Sequence, residues 1–396
     1  LTAEMDDRGA WLPCRLLPID ATSTGRPVGP PGAACWFAAW STDGNWMYFS
    51  SSAGGSFHTW RQRFAGSAEP PAPEQITSGP TEEEGIAMAP GGKSFITAVG
   101  LKQSSVWVHD SRGERQVSLE GYAYRPKFTP DGKKLLYAVL KSASPERSEL
   151  WVAELDSGRS EPLLPGFLIA RGLGRSAYDI SPDGRQVVMQ AVDLEGKNRL
   201  WTAPLDRRSP PRQVPNVEGD APLFGPDGEI FFRGRAGSYG FGHRVRPDGT
   251  GLRKASEYPV TGTLGVSRDG KWLAVYARPS REEAGGTLAL PVDGGPPVQI
   301  YGTSSVIKWS PDGRHLFFSV ASSMSGKAEA TYVVPLPPGR ALPAIPPGGF
   351  RSDAEIARLP GVRVIDKTDV APGPTPEVYA FSRETAQGNL YRVPVP

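Results

Sequence analysis

The chain has 396 residues, 44 of them basic and 42 acidic, so its formal net charge at neutral pH is only +2. This balance gives no electrostatic reason to expect binding to nucleic acid or to an anionic membrane. No apolar run approaches the roughly 18 residues that a membrane helix needs, so we expect no membrane insertion. The 47 glycines and 41 prolines are spread between short apolar runs, which is typical of turn residues in a folded all-β protein.

Residues 1–34 precede the first repeat of the chain. We predict that they form closing strands, which complete the sheet begun by the C-terminal strands. Strand-like stretches lie at 11–20 and 25–28, and residues 1–8 resemble the end of another strand. Cys14 and Cys35 are the two cysteines of the chain, too few for a disulfide framework. We expect two free, half-buried thiols that behave as small apolar residues, while pairing in an oxidising compartment remains an alternative.

A four-residue turn recurs from residue 35 to residue 342, and its clearest copies are Ser-Pro-Asp-Gly at 181–184 and 310–313. The closing glycines of its seven copies stand at positions 44, 92, 132, 184, 228, 270 and 313. Proline presets the backbone, Asp bonds to nearby backbone groups and Gly accepts a positive φ. A spacing of 40 to 52 residues with strand-like content is typical of propeller blades.

Each repeat also has a regular interior. An apolar strand follows every turn, and a second strand comes 15 to 19 residues after the glycine. That second strand carries an aromatic residue in five of the seven repeats, and we expect these residues to pack between neighbouring blades. They are Trp60, Trp107, Trp151, Trp201 and Tyr332, while the other two repeats have His243 and Leu288.

Residues 343–396 are predicted to form a linker and a final blade. A stretch rich in Pro and Gly contains one helical turn at 352–359, and strands follow at 362–365, 378–381 and 389–395. These three strands would make one more blade, completed by strands from the N-terminus, which removes exposed sheet edges. We therefore predict a single all-β propeller domain over 1–396, with four-stranded antiparallel blades. Eight blades are expected, or seven if the irregular repeat at Gly91 and Gly92 forms none.

The repeats carry a family resemblance. Ser-Pro-Asp-Gly followed by Arg, an apolar strand and Leu-Trp-x-x-x-Leu-Asp at 200–206 resembles the TolB-type propeller repeats, a WD-repeat-like branch. The ending at 378–394 is similar to the tails of bacterial proteins in which such a propeller follows a serine/threonine kinase or a winged-helix domain. The resemblance implies a sensor or scaffold domain of a signalling protein. Such a domain is extracytoplasmic if it belongs to a membrane kinase, and otherwise cytoplasmic.

Motifs of known chemistry are missing from the sequence. Gly-x-Ser-x-Gly does not occur, and Gly92-Lys93-Ser94 lacks the first glycine of a phosphate-binding loop because Ala87 stands there. The four histidines fall in four different repeats: His58, His109, His243 and His315. We therefore predict no catalysis, no metal and no cofactor. The alternative is an enzyme-associated propeller, either the gating domain of a prolyl-oligopeptidase-like hydrolase or a metal-dependent lyase.

Binding is expected at the loops and at the channel mouth of a monomeric domain, with a protein, a peptide or a small molecule as the ligand. Long polar hairpin loops are predicted at 142–148, 278–286 and 322–328. Trp40 and Trp309 lie on innermost strands, and residues 233–242 form a basic, aromatic hairpin. Because Trp, Tyr and Arg dominate binding hot spots, the predicted contacts are Trp40, Trp309, Arg233, Arg235, Tyr239 and Phe241.

Overall fold

The computed structural model describes residues 1–2, 14–20, 23–53, 56–64, 70–79, 81–143, 146–170, 177–236, 239–277, 285–303, 305–320 and 330–395. These residues are almost entirely β, as the sequence predicts. One short helix, α1 (Asp353–Ala357), lies where the helical turn was expected. No helix in the described part of the chain has the length and apolar character required to cross a membrane.

The seven repeat turns all adopt the predicted geometry. Their closing glycines have φ between 69° and 77°, a region that glycine enters without steric cost. In the turn at 181–184, Ser181 Oγ donates to Asp183 Oδ1 at 2.6 Å and accepts the Gln186 N–H at 2.9 Å. The same Asp183 oxygen accepts the Arg185 N–H at 3.0 Å. The Ser and Asp side chains therefore fix where the next strand begins.

The chain forms two compact units. The first unit comprises Leu1–Gln103, Leu140–Arg147 and Glu384–Pro396. Within it β1 pairs with β2, the strands β3 to β6 form one antiparallel sheet in chain order, and β7 pairs with the start of β8. The strands are β1 (Cys14–Leu16), β2 (Arg26–Val28), β3 (Cys35–Trp40), β4 (Trp46–Ser51), β5 (His58–Arg63), β6 (Glu74–Gln75), β7 (Glu82–Met88) and β8 (Ser94–Asp110).

The second unit comprises Ser104–Val139 and Ser148–Arg383. Its strands are β9 (Gly113–Gln116), β10 (Ala123–Phe128), β11 (Lys134–Ala143), β12 (Glu146–Glu154), β13 (Ser160–Pro162), β14 (Leu168–Ala170), β15 (Tyr178–Ile180), β16 (Gln186–Val192), β17 (Asn198–Pro204), β18 (Arg212–Gln213), β19 (Gly219–Phe224), β20 (Ile230–Ala236), β21 (Tyr239–Val245), β22 (Arg253–Pro259), β23 (Gly262–Val266), β24 (Trp272–Ala277), β25 (Gly286–Pro291), β26 (Val298–Tyr301), β27 (Ser305–Trp309), β28 (His315–Val320), β29 (Thr331–Pro335), β30 (Arg363–Ile365), β31 (Ala371–Pro372) and β32 (Tyr379–Pro394). Some of these strands continue into the first unit.

Five sheets of the second unit follow chain order: β10 to β13 with β14 beside β12, β15 to β18, β19 to β22, β23 to β26 and β27 to β30. A sixth sheet is composite, because β31 pairs with β32, β32 pairs with β8, and β9 also pairs with β8. The first strands of the sheets are neighbours: β15 lies beside β19, β19 beside β23, β23 beside β27, β27 beside β31 and β31 beside β10.

The long strands correct the expected repeat at Gly92. The sequence analysis placed one strand directly after the turn that closes at Gly92 and a second strand at Trp107, but β8 runs without a break from Ser94 to Asp110. This segment contains no Pro or Asn-Gly pair to turn the chain, and the 16-residue β32 pairs with β8. The C-terminal strands accordingly do not form three strands of a separate blade. Residues 363–365 instead complete the β27 sheet, with Thr331 opposite Ile365.

The N-terminal strands also pair differently from the prediction. In the described part of the chain, β1 and β2 pair with each other, with Cys14 opposite Val28, and not with the C-terminal strands.

Cys14 and Cys35 form a disulfide with their Cα atoms 6.1 Å apart, so the expectation of free thiols is wrong. The bridge lies in an apolar cluster with Val28, Met47 and Phe49. Strand pairing brings together two cysteines that are 21 positions apart in sequence.

The cores of the two units consist of apolar side chains between sheets. Trp201 illustrates the predicted packing, because it contacts the cluster that includes Leu136 from the β10 sheet and Met189 from its own sheet. Its ring also meets Phe167 edge-to-face, with centroids 5.4 Å apart. The repeated aromatic residue therefore packs between adjacent sheets in this part of the second unit.

Candidate functional site

The first strands of several sheets share a local irregularity. Their pairing register shifts by a bulge, and the residue four positions before the next turn takes a positive φ. A bulge redirects side chains and is enriched near functional sites. The residues at this position are Phe37 (φ 49°), Gly85 (76°), Arg125 (55°), Ala221 (54°) and, before β31, Asp369 (50°).

A group of charged side chains lies on these first strands in the second unit. Lys127 Nζ is 2.7 Å from Asp179 Oδ1, which joins β10 to β15. The other oxygen of Asp179 accepts the backbone N–H of Phe224 on β19 at 2.8 Å. Both charged side chains remain partly open, with exposed fractions of 27% for Lys127 and 19% for Asp179. One carboxylate thus connects three neighbouring sheets.

A second ion pair in the same unit joins β27 to Asp369, which lies just before β31. Lys308 Nζ on β27 is 2.7 Å from Asp369 Oδ1 and 3.1 Å from the Asp369 carbonyl oxygen. Burial lowers the pKa of Lys308, the Asp369 carboxylate opposes that effect, and the positive charges of Lys127 and Arg125 lower the pKa further. Three basic side chains therefore share one electrostatic environment with two carboxylates. We call these five residues, Arg125, Lys127, Asp179, Lys308 and Asp369, the inner charge cluster.

Tyr178 anchors the backbone beside the inner charge cluster. Its hydroxyl group donates to the carbonyl oxygens of Leu136, at 3.0 Å, and of Arg125. Burial raises the pKa of Tyr178 well above its ordinary value, so this hydroxyl stays protonated. The Arg125 N–H donates to Ser382 Oγ at 3.2 Å. The backbone of Arg125 is consequently held from two sides, which fixes the origin of its side chain.

Comparison with solved structures identifies the fold. A protein assigned as TolB from Agrobacterium tumefaciens superposes with a TM-score of 0.51 at 18% identity, over 72% of this chain and 99% of that one. TolB from Acinetobacter baumannii gives 0.45 at 14% identity over 85% and 78%, and an oligogalacturonate lyase from Vibrio parahaemolyticus gives 0.42 at 12% over 85% and 97%. No protein-family model matches the sequence, and no curated protein matches it.

The fold is that of a TolB-type β-propeller. The inner charge cluster of the second unit lies on or just before the first strands of its sheets.

Four of the predicted binding residues lie together on the hairpin of β20 and β21 in the TolB-type propeller. Arg233 is buried and donates two hydrogen bonds to Asp220, one of them from Nε to Oδ1 at 2.7 Å. Arg235 is exposed, and Tyr239 is exposed over 53% of its surface. Phe241 is partly buried, with Lys254 Nζ 4.3 Å from its ring centre. Arg233 therefore stabilises the sheet, whereas the other three line the outer part of the hairpin.

The two predicted tryptophans have different surroundings. Trp309 on β27 is partly buried, and its Nε1–H donates to the Ala341 carbonyl oxygen at 2.7 Å. Trp40 on β3 in the first unit is exposed over 45% of its surface and contacts Phe64 edge-to-face at 5.4 Å. Trp40 is therefore the more accessible of the two to a ligand.

The structure adds an aromatic row that the binding prediction included only in part. On β3, Trp36 is exposed over 43% and Phe37 over 55% of its surface, and both precede Trp40 by a few residues. Trp36, Phe37 and Trp40 are called the β3 aromatic row below. The sequence signal was the run Cys-Trp-Phe-Ala-Ala-Trp, whose lack of apolar–polar alternation hides which side chains are exposed.

Part of the inner charge cluster could have been recognised from the sequence. Lys127, Asp179 and Lys308 each stand two positions before the first residue of a repeat turn. The other repeats have small or apolar residues at the equivalent position, so the charged ones could have been recognised by aligning the repeats. Asp369 could not, because no Asp-Gly turn follows it.

The histidines lie in separate surroundings. His58 Nδ1 is 2.9 Å from Glu83 Oε2 in the first unit, where Thr77 donates to the same oxygen at 2.6 Å. His109 stacks on Tyr379 with ring centres 4.6 Å apart. Across the described ranges, no three His, Cys, Asp or Glu side chains are grouped to hold a metal ion. Most of the loops predicted at 278–286 and 322–328, and residues 144–145 of the loop at 142–148, lie outside the described residues.

Proposed function

We propose that this chain is a non-catalytic binding module that recognises a protein partner through the β3 aromatic row. The observation that carries the proposal is the exposure of three large aromatic side chains within six residues of one strand. Such side chains are ordinarily buried, each with a large apolar area, and exposed apolar clusters mark interaction sites.

The backbone of Phe37 supports the same interpretation. A bulky aromatic residue at φ 49° is strained, and its side chain is more than half exposed. Packing within the described residues therefore offers little compensation for that strain. A contact made with a partner would provide a reason to keep an aromatic residue at this position, and Trp is also enriched in binding hot spots.

We further infer that the six sheets of the second unit form one closed propeller ring. Consecutive first strands are neighbours from β15 to β31 and on to β10, and the Lys127–Asp179 ion pair joins β10 to β15. The number of blades in the whole chain, expected to be eight or seven, stays a prediction. A rigid ring suits recognition because binding then orders few additional residues. Within a larger bacterial signalling protein, such a domain would act as a sensor or scaffold.

The test of the binding role uses immobilised chain to capture proteins from an extract of the source organism, followed by titration of the purified captured protein. Replacing Phe37 with Gly removes the ring and relieves the positive φ, so we expect unchanged or higher thermal stability together with weaker binding. Replacing Leu194, which is fully exposed in the second unit, with Ser is the matched control and should leave binding unchanged. Equal affinity of the Phe37→Gly variant and the wild type would contradict the proposal.

The enzyme alternative needs its own experiment. The purified chain is analysed for bound metals and assayed for hydrolase and pectate-type lyase turnover, with and without a chelator. We expect no turnover above background in any condition. Chelator-sensitive turnover that disappears when a protein ligand of the metal is replaced would overturn the non-catalytic assignment.

A further inference from the structure

One sheet of the first unit has an open edge. In that unit β3 to β6 make a four-stranded sheet, in which β6 covers the outer side of β5. The other large sheet runs from β7 to the start of β8 and on to the end of β32, so that β32 takes the third place. Among the described residues of the first unit, no strand pairs with the far side of β32. We call residues 384–392 of β32 the open edge.

Two contacts fix the register of β32 against β8 in this unit. The Val395 N–H donates to the Lys93 carbonyl oxygen at 3.0 Å, and a Cβ atom at Gly100 would lie 3.1 Å from the Gly388 Cα atom. Lys93 and Gly100 are as far apart in the sequence as Gly388 and Val395, so one antiparallel register holds over this length. Backbone N–H and C=O groups alternate in direction along a strand. Because Val395 bonds to β8, the odd-numbered residues do so too, and the even-numbered ones, Gly388 and Leu390 among them, point to the open edge.

The open edge lacks the usual protection of an edge strand. Natural edges are guarded by Lys, by Pro or by the shortness of the strand. The strand β32 is 16 residues long, and the sequence of the open edge contains neither Lys nor Pro. Residues 387–392 are all exposed, Leu390 over 76% and Tyr391 over 50% of the surface. Backbone groups that point outward beside exposed apolar side chains make a template for a further strand.

The sequence of the open edge is complementary to itself. When two copies pair antiparallel around Gly388, the two-fold axis falls between two glycines, which have no side chains to clash. Gln387 then lies opposite Asn389, and their amide groups can bond to each other. Thr385 lies opposite Tyr391, a favourable combination of a β-branched and an aromatic residue.

We propose that the open edge pairs with the open edge of a second copy of this chain, antiparallel and centred on Gly388. Glu384 of one copy lies opposite Arg392 of the other in this register, so charges of opposite sign meet at both ends. The even-numbered residues meet as hydrogen-bonded pairs, which satisfies the outward N–H and C=O groups. The chain is then a dimer, where the sequence analysis expected a monomer. The proposal makes no use of the β3 aromatic row, so the failure of either proposal leaves the other untouched.

Sedimentation velocity of the whole chain over a range of concentrations measures the association. We expect a reversible dimer, and Gly388→Lys should weaken it by about tenfold or more, because two ammonium groups would meet at the two-fold axis. A side chain fits there, since its Cβ atom would lie 3.6 Å from the Val99 carbonyl oxygen, an ordinary contact distance. Gly302→Lys is the matched control at a glycine with open space in the second unit, and it should leave the association unchanged. A wild type that stays monomeric at every concentration would overturn the proposal.

Charge reversal at the axis tests the register. Gly388→Glu should weaken the dimer as Gly388→Lys does, because two carboxylates would then meet. An equal mixture of the two variants should associate at least as tightly as the wild type, since opposite charges face each other at the axis. This recovery supports a second copy centred on Gly388. A mixture that stays monomeric, or a dimer that both variants form as well as the wild type does, would overturn the proposal.

Hydrogen exchange of single amides provides a test without any substitution. On dilution of the wild type, the N–H groups of Gly388 and Leu390 should exchange faster, because they lose the second copy. Those of Asn389 and Tyr391 should change little, because they bond to β8 within one chain. Slow exchange of Gly388 and Leu390 that does not depend on concentration would show that the edge is covered from within the chain, which contradicts the proposal.

Discussion

The guanidinium of Arg233 and the carboxylate of Asp220 form a buried pair across β19 and β20, with Nε 2.7 Å from Oδ1 and both side chains less than a tenth exposed. The register places the two residues directly opposite each other, next to the bulge at Ala221. The pair satisfies the polar groups of a side chain that the sequence analysis assigned to ligand binding. Its role in the structure is therefore to hold the first two strands of this sheet together.

Replacing Asp220 with Ala should destabilise the second unit by about 3–5 kcal/mol, because the guanidinium would stay buried without its partner. Asp206→Ala is the matched control, since its ion pair with Arg208 is exposed, and it should cost no more than about 1 kcal/mol. Urea unfolding of both variants measures the difference. Equal losses of stability in the two variants would refute the structural importance of the buried pair.

Two glycines allow the cost of backbone strain to be measured separately from the cost of steric contact. A Cβ atom at Gly228 would have nothing within 4 Å, yet the residue has φ 77°. Gly302 also has open space, and its φ lies outside the left-handed region. We expect Gly228→Ala to cost about 1 kcal/mol through backbone strain, and Gly302→Ala to be neutral or slightly stabilising. Similar changes in melting temperature for both would mean that the repeat turns do not require glycine.

The disulfide between Cys14 and Cys35 should contribute to the stability of the first unit. Closing a loop between residues 21 positions apart is expected to stabilise by about 3 kcal/mol through the unfolded chain. Reductant should lower the melting temperature of the wild type but not that of a Cys14→Ser/Cys35→Ser variant. Labelling of two thiols in the native protein, without reductant, would show that the bridge does not form.

The parts of this fold that the sequence predicts are those that depend on neighbouring residues. Ser181, Asp183 and Gly184 determine their turn among themselves, so seven turns and the strands after them could be placed without any knowledge of the rest. The same holds for α1, whose start follows Ser352 and whose first turn is acidic. Short-range hydrogen bonds determine the turns, and local residue preferences place the start of the helix, where the Ser352 side chain makes no capping hydrogen bond.

The parts that escaped prediction depend on partners far away in the chain. Nothing near Val99 or Gly388 indicates that β8 and β32 become long paired strands, because the two strands come from distant parts of the sequence. Likewise Lys308 and Asp369 are 61 positions apart, and their ion pair follows from the adjacency of β27 and β31. Of the β3 aromatic row, the sequence analysis selected only Trp40, since composition identifies the aromatic residues but not which of them remain exposed.

Acid should destabilise the protein through the aspartates of the repeat turns. Hydrogen bonds from the Ser41, Thr129 and Ser181 hydroxyls hold the pKa values of Asp43, Asp131 and Asp183 below the ordinary value. A folded-state pKa below the unfolded one means that these carboxylates stabilise the fold above about pH 4, the unfolded value. That contribution is lost as the pH falls through the lower folded-state pKa values.

The free energy of unfolding should therefore decrease as the pH is lowered below about 4, and Asp183→Asn isolates one of these carboxylates. Asn keeps an oxygen that accepts the Ser181 O–H and the Arg185 N–H, but it does not titrate. We expect this variant to be less stable than the wild type at neutral pH and to lose less stability between neutral pH and pH 2. Ser181→Ala, which removes the largest cause of the lowered pKa, should flatten the acid dependence in the same direction. Urea unfolding at several pH values makes the comparison, and parallel curves for all three proteins would show that this turn does not couple protonation to folding.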